Sequence, residues 1–155
     1  MNTIVPCLWF ADNNCEEAMH YYLDTFPNSS IDSVTYYPDE KLDEHFIGMN
    51  GKIINAEFTL NGQKFIGFDG GPTFRFTEAI SFTILCKDQE ELDFYWNKLS
   101  HVLESEQCGW CKDQFGLSWQ IIPQEMGSLM SNDKQTSALM AMKKIIIQDL
   151  KDLAS

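Results

Sequence analysis

Basic side chains are scarce in this sequence: Lys and Arg total 11 against 23 Asp and Glu, a formal net charge of −12. So acidic a surface repels phosphate backbones and anionic lipid, which argues against nucleic-acid and membrane partners. Long apolar runs are missing too, none approaching the roughly 20 residues that a membrane helix needs. The opening residues, MNTIVPCLWF, lack the basic-then-apolar layout of a secretory signal, so a cytoplasmic location is expected. The three histidines, His20, His45 and His101, stand apart from one another, and none neighbours a Ser or Cys in a nucleophile-elbow setting. No glycine-rich strand-to-helix loop offers a seat for a nucleotide. The cysteines number five, odd and scattered, which a reducing compartment leaves as thiols. Cys108 and Cys111 have a C-x-x-C spacing, but they lie in strand-like sequence rather than at a helix N-terminus. There is also no second pair to complete a zinc site, so they are taken as ordinary thiols.

What is present is core material: 44% hydrophobic and 13% aromatic residues in 155, one domain's length with ample interior. Residues 4–10 have strand character. Asp12, Asn13 and Asn14 offer helix caps ahead of a stripe of Ala18, Met19, Tyr22, Leu23 and Phe26, stopped at Pro27-Asn28. Residues 31–37 are β-rich, and residues 38–51 form a polar, acidic excursion. Residues 53–60 and 63–69 flank Asn61-Gly62, a strong hairpin signal. After Gly70-Gly71-Pro72 and a loop with Phe74 and Phe76, residues 79–86 read as a strand. Asp88 with Glu91 opens a second helix carrying Leu92, Tyr95, Trp96 and Leu99. Residues 108–123 read as two strands turning at residues 113–116. Strand parity places Trp119 against a helix and Gln120 on the opposite face. The remainder is expected to be helical, with an amphipathic stretch at 138–153.

The chain repeats itself at about half its length. Glu16-Glu17 and Tyr21-Tyr22 fall on Glu90-Glu91 and Tyr95-Trp96, each copy following an apolar strand and preceding a hairpin. The economical reading is a single α+β domain, residues 1–155, made of two βαβββ modules at about 1–76 and 77–123 and a helical extension at about 124–155.

Several stretches resemble the PhnB-like family, a branch of the vicinal oxygen chelate (glyoxalase, bleomycin-resistance and dioxygenase) superfamily. They are PCLWF at Pro6, EEAMHYYLDTFPNS at Glu16, GGPTFRFTEAISF at Gly70, CGWCKDQFGLSWQIIP at Cys108 and MKKI at Met142. The resemblance implies paired modules whose mixed sheets curl into an open, cupped barrel around a cavity, and a homodimer. Members are frequently labelled 3-demethylubiquinone-9 3-methyltransferase, a label to which the missing nucleotide loop lends no support. In metal-bearing relatives the ligands come from the first and last strands of each module. The matching positions here are Gln120, then Gly67 or Phe68, Val5 or Pro6, and Ile80 or Ser81, so only Gln120 is a plausible donor and no metal or cofactor is expected.

The leading expectation is therefore a small-molecule-binding protein, of resistance or sequestration type. Trp9, Glu57, Phe68, Asp69, Phe82, Trp110 and Gln120 are the ligand-binding candidates. Glu57, alternating out of the Phe58 and Leu60 face, is the weak catalytic candidate as a general base. The alternatives are an enzyme of lyase, isomerase or dioxygenase type, using an atypical metal or a carboxylate, and an interaction module whose cavity is packed shut.

Overall fold

The computed structural model describes residues 2–154. The chain divides into two compact units, the first ending at Arg75 and the second beginning at Phe76.

In the first unit, β1 (Cys7–Phe10) leads to α1 (Cys15–Thr25), followed by β2 (Ser30–Tyr36), β3 (Ile53–Leu60) and β4 (Gln63–Asp69). The sheet order is β1-β4-β3-β2. β1 runs parallel to β4, and the other pairs are antiparallel. Asn61 (φ 48°) and Gly62 (φ 83°) both occupy the left-handed region, the backbone of a two-residue hairpin whose twist matches its strands. α1 buries Ala18, Met19 and Tyr22. The strand residues of the same core are Leu8, Phe10, Ala56, Phe58, Leu60 and Phe65. The acidic excursion forms two short 3-10 turns, Glu40–Leu42 and Glu44–Phe46. Asp39 and Asp43 begin them by accepting bonds from Lys41 N and His45 N.

In the second unit, β5 (Phe82–Cys86), α2 (Gln89–Leu99), β6 (Trp110–Lys112) and β7 (Ser118–Pro123) give the order β5-β7-β6. Asp88 caps α2 by accepting from Glu91 N at 2.9 Å. Sequence repetition predicts βαβββ here, but among the described residues this unit is βαββ. Where β2 has its counterpart, a 3-10 turn, Leu103–Ser105, stands instead, followed by a single bridge from Gln107 to Trp110. About ten residues separate α2 from β6, and His101 N and Val102 N turn back to Lys112 O at once. The segment thus spends its backbone bonds on its own neighbour β6 rather than on a further strand.

A 3-10 turn (Met126–Met130), α3 (Asp133–Ala141) and α4 (Ile147–Lys151) complete the unit. The amphipathic pattern over 138–153 predicts continuous helix, but the structure interrupts it between Ala141 and Ile147. There Met142 O and Lys143 O accept from Cys108 N and Gly109 N at 2.7 and 2.8 Å, and Ile145 is fully buried. Gly109 has φ +89°, and a Cβ there would lie 2.9 Å from Ile145 Cδ1. Two backbone bonds and one buried side chain thus override a helical periodicity. No helix among the described residues is long and apolar enough to cross a membrane.

Candidate functional site

Strand parity divides the first sheet into a face covered by α1 and an open face. Register pairs Trp9 with Phe68 and Cys7 with Ile66 across β1 and β4, and Ile66 with Glu57 across β4 and β3. Side chains directly opposed across a ladder share a face. Trp9, Phe68, Glu57 and Asn55 therefore stand together on the open face. Asn55 and Glu57 are exposed, Trp9 and Phe68 half-buried.

Trp9 is held from several directions. Its Nε1–H donates to Gly71 O at 2.8 Å, and Phe68 and Phe74 meet its ring edge-on at 5.1 and 4.9 Å. The indole lies so close over Gly70 that a Cβ there would fall 2.2 Å from Trp9 Cε2. The Gly70-Gly71 pair, which breaks regular structure in the sequence, thus receives an indole. Asn13 Oδ1 fixes the same loop by accepting from Gly71 N at 3.0 Å.

At the other end of this face Glu57 Oε2 accepts from Ser33 Oγ at 3.2 Å. No Lys, Arg or His is ion-paired with it among the described residues. Asp32 accepts from Ser30 Oγ and Thr59 Oγ1, both at 2.7 Å. The Ser30 and Thr59 hydroxyls hold its carboxyl below the usual carboxylate range, with a smaller contribution from the Lys64 charge. A cavity of about 180 Å³ opens there, with Asp32, Glu57, Lys64 and Ile66 in its lining.

Asp69 turns the other way. It is 1% exposed. Its two oxygens accept from Cys15 N (2.9 Å) and Ile53 N (2.8 Å), so it caps α1 from a distance and ties the start of β3. Sequence reading placed Asp69 with the ligand, but its parity is opposite to that of Phe68, and backbone amides occupy both oxygens. A recess of about 610 Å³ at this end of α1 includes Asp12, Glu16, His20 and Lys52 in its wall. Its charges largely engage protein groups: Arg75 meets Asp12 at 3.1 Å, Tyr36 OH donates to Glu16 at 2.8 Å, and Lys52 Nζ donates to Asn13 O at 3.1 Å.

In the second unit, register pairs Trp110 with Gln120 and Gln120 with Thr83 on the open face. Gln120 Nε2 donates to Ser81 Oγ at 2.9 Å, and Lys112 pairs with Glu78. Phe82 departs from its expected place. It stands opposite Trp119, with ring centroids 5.8 Å apart, on the face bearing the buried residues Trp119 and Ile121. It is therefore on the opposite face from Trp110 and Gln120.

Of the seven candidates, the structure gathers Trp9, Phe68 and Glu57 on one face, and Trp110 and Gln120 on another. Asn55, Ser33 and Lys64 are the additions. Asn55 was accessible from sequence, since it lies two residues before Glu57 on one strand. The other two required the pairing of β2 and β4 with β3. No cluster of three or more His, Cys, Asp or Glu is placed to hold a metal among the described residues. Cys15, Cys86 and Cys111 are buried, and burial pushes each thiol up to about 12, the opposite of an activated cysteine.

The family model described as 3-demethylubiquinone-9 3-methyltransferase matches residues 2–122 of this chain. The chain belongs to the PhnB-like family. A PhnB protein from Bacillus cereus, whose description carries the same methyltransferase name, is 34% identical. The match covers 79% of this chain and 98% of that one, with a TM-score of 0.65. A protein from Pseudomonas aeruginosa shares the fold at 18% identity and a TM-score of 0.60, covering 79% of this chain and 97% of that one. No curated protein matches the chain. The α+β class with two mixed sheets is thus that of PhnB-like proteins.

Proposed function

We propose that this PhnB-like protein binds a small, flat organic molecule against the open face of its first sheet, without a metal in the superfamily's usual position. The pinned indole of Trp9 carries this reading. An aromatic wall fixed by a hydrogen bond, two edge-on rings and a glycine backing loses little side-chain entropy when a ligand stacks on it. The second sheet, taken by itself, has an open face with its own aromatic and amide, Trp110 and Gln120. The enzyme alternative has weaker support, because a carboxylate general base works best withdrawn from water and Glu57 is exposed.

The methyltransferase description is not extended to this chain. Residues 11–14 and 87–88, which link strand to helix in the two units, contain no glycine to admit a nucleotide to a helix N-terminus. A homodimer belongs to the same proposal, supported by the exposed Ile80 and Leu85 at and beside the edge strand β5 and by Met130 and Met140. Light scattering on a sizing column reads it directly.

Binding is tested by thermal shift against flat aromatic and quinone-like compounds. A ligand at a hundred times its Kd adds about 2.7 kcal/mol, a rise of roughly 5–10 °C at this chain length. Trp9→Leu, and Gly70→Ala through displacement of the indole, should abolish the shift. If no compound raises the melting temperature of the wild-type protein, or both variants respond as it does, the proposal fails.

A further inference from the structure

The open face of the first unit has a polarity along it. At one end stand Trp9, Phe68 and Phe74; at the other, Glu57 is bonded to a neutral hydroxyl and paired with no cation among the described residues. Lys64 shares the lining of the adjacent cavity with Glu57 and Asp32 but forms no ion pair with Glu57 among the described residues. Strand spacing and rise put the Trp9 and Glu57 backbones about 12 Å apart. Phe68, paired with Trp9 across β1 and β4, and Asn55, two residues before Glu57 on β3, share this face. This is the span of a bicyclic ring with a short arm. The net charge of −12 enriches cations and depletes anions at the surface.

We infer that the ligand taken by this face is a small organic cation, a planar apolar body on Trp9 and Phe68 bearing an ammonium directed to the Glu57 carboxylate. The inference rests on the small-molecule reading above and adds the ligand's charge. Asn55, exposed beside Phe68, is positioned to accept a second N–H from the same ammonium.

The test uses three near-isosteric probes on the full chain by calorimetric titration: 2-naphthylmethylamine, 2-naphthylmethanol and 2-naphthoate. The wild-type protein should prefer the amine to the alcohol by about two- to fivefold, with the carboxylate weakest. Glu57→Gln should remove the amine preference while leaving the alcohol affinity within about twofold. Glu57 is exposed, so the variant is expected to fold, and its melting curve verifies this. The variant also separates a local carboxylate from the diffuse acidity of the surface, which it leaves nearly unchanged. If alcohol and amine bind equally to the wild-type protein, or Glu57→Gln keeps the preference, the charge assignment is overturned while the small-molecule reading stands. If none of the three probes binds, both fall.

Discussion

The first sheet closes on a buried carboxylate at the end of β4, Asp69; the second has its own, Asp113, in the turn between β6 and β7. Asp69 accepts from Cys15 N and Ile53 N, 54 and 16 residues away. Asp113 is fully buried and accepts from Phe115 N, Leu117 N and Trp119 Nε1, none more than six residues away. One carboxylate ties distant elements, and the other organises a single hairpin. The four-stranded unit has a long excursion between β2 and β3, so it needs a remote tether. The three-stranded unit needs its short turn shaped.

The largest effects should follow from removing these acceptors. In Asp69→Asn one carboxylate oxygen becomes an NH₂ facing a backbone N–H, so a buried amide loses its partner. In Asp113→Asn the amide oxygen can keep the two backbone N–H groups of the turn, and the buried Trp119 indole N–H then faces an NH₂ and loses its acceptor. Each should cost about 3 kcal/mol, roughly 6–12 °C in melting temperature. Hydrogen exchange separates the two. Asp69→Asn should loosen the amides of Cys15 and Ile53, whereas Asp113→Asn should loosen the Trp119 indole N–H. A variant within about 1 kcal/mol of wild type would show that its carboxylate is not the tether described.

How far the sequence exposes this architecture follows from the same contrast. Local signals read well. The Asn61-Gly62 hairpin, the Asp88 cap and the alternation of Trp119 with Gln120 each follow from a few neighbouring residues, and the family motifs carry the paired-sheet class. The roles of Asp69 and Phe82 were not legible, because parity names two faces without saying which one the helix covers. The three-stranded second sheet was hidden by the repeat itself, since the similarity lies in the helices while the difference is a short linker. Residues 142–146 escaped because their backbone partners, Cys108 and Gly109, lie more than 30 residues away. The polarity of the open face needed register: no property of Glu57 alone reveals that Lys64 acts on Asp32.

Buried thiols supply a smaller effect that tests whether both units are packed to the same degree. Cys15 in the first unit, and Cys86 and Cys111 in the second, have thiols pushed by burial from 9.0 to about 12. Below pH 9 folded and unfolded chains both keep these protons, so the thiols contribute no pH dependence. Above it the unfolded chain loses protons that the folded chain retains, and stability falls as pH rises toward 12, by about 1 kcal/mol per thiol near pH 10. At pH 8 iodoacetamide should modify the exposed Cys7 and leave these three intact in the folded protein. Fast labelling of Cys86 and Cys111 with Cys15 protected would mean that the second unit opens independently.

The smallest effect concerns the open faces. The second unit holds an ion pair, Lys112 with Glu78, whereas Glu57 in the first accepts from Ser33 and has no ion pair among the described residues. The Lys112 ammonium holds the Glu78 carboxyl below its usual range. Any stabilisation it gives is therefore present above the ordinary Glu value and is lost as pH falls through the lowered one. Glu78 is largely exposed, and water screens such pairs, so Glu78→Gln should move the melting temperature by no more than about 4 °C. It should also leave the amine preference of the probe series unchanged, since it removes a charge that is already paired. Glu57→Gln removes one that is not. If the two substitutions weaken amine binding equally, total acidity rather than the unpaired carboxylate selects the cation.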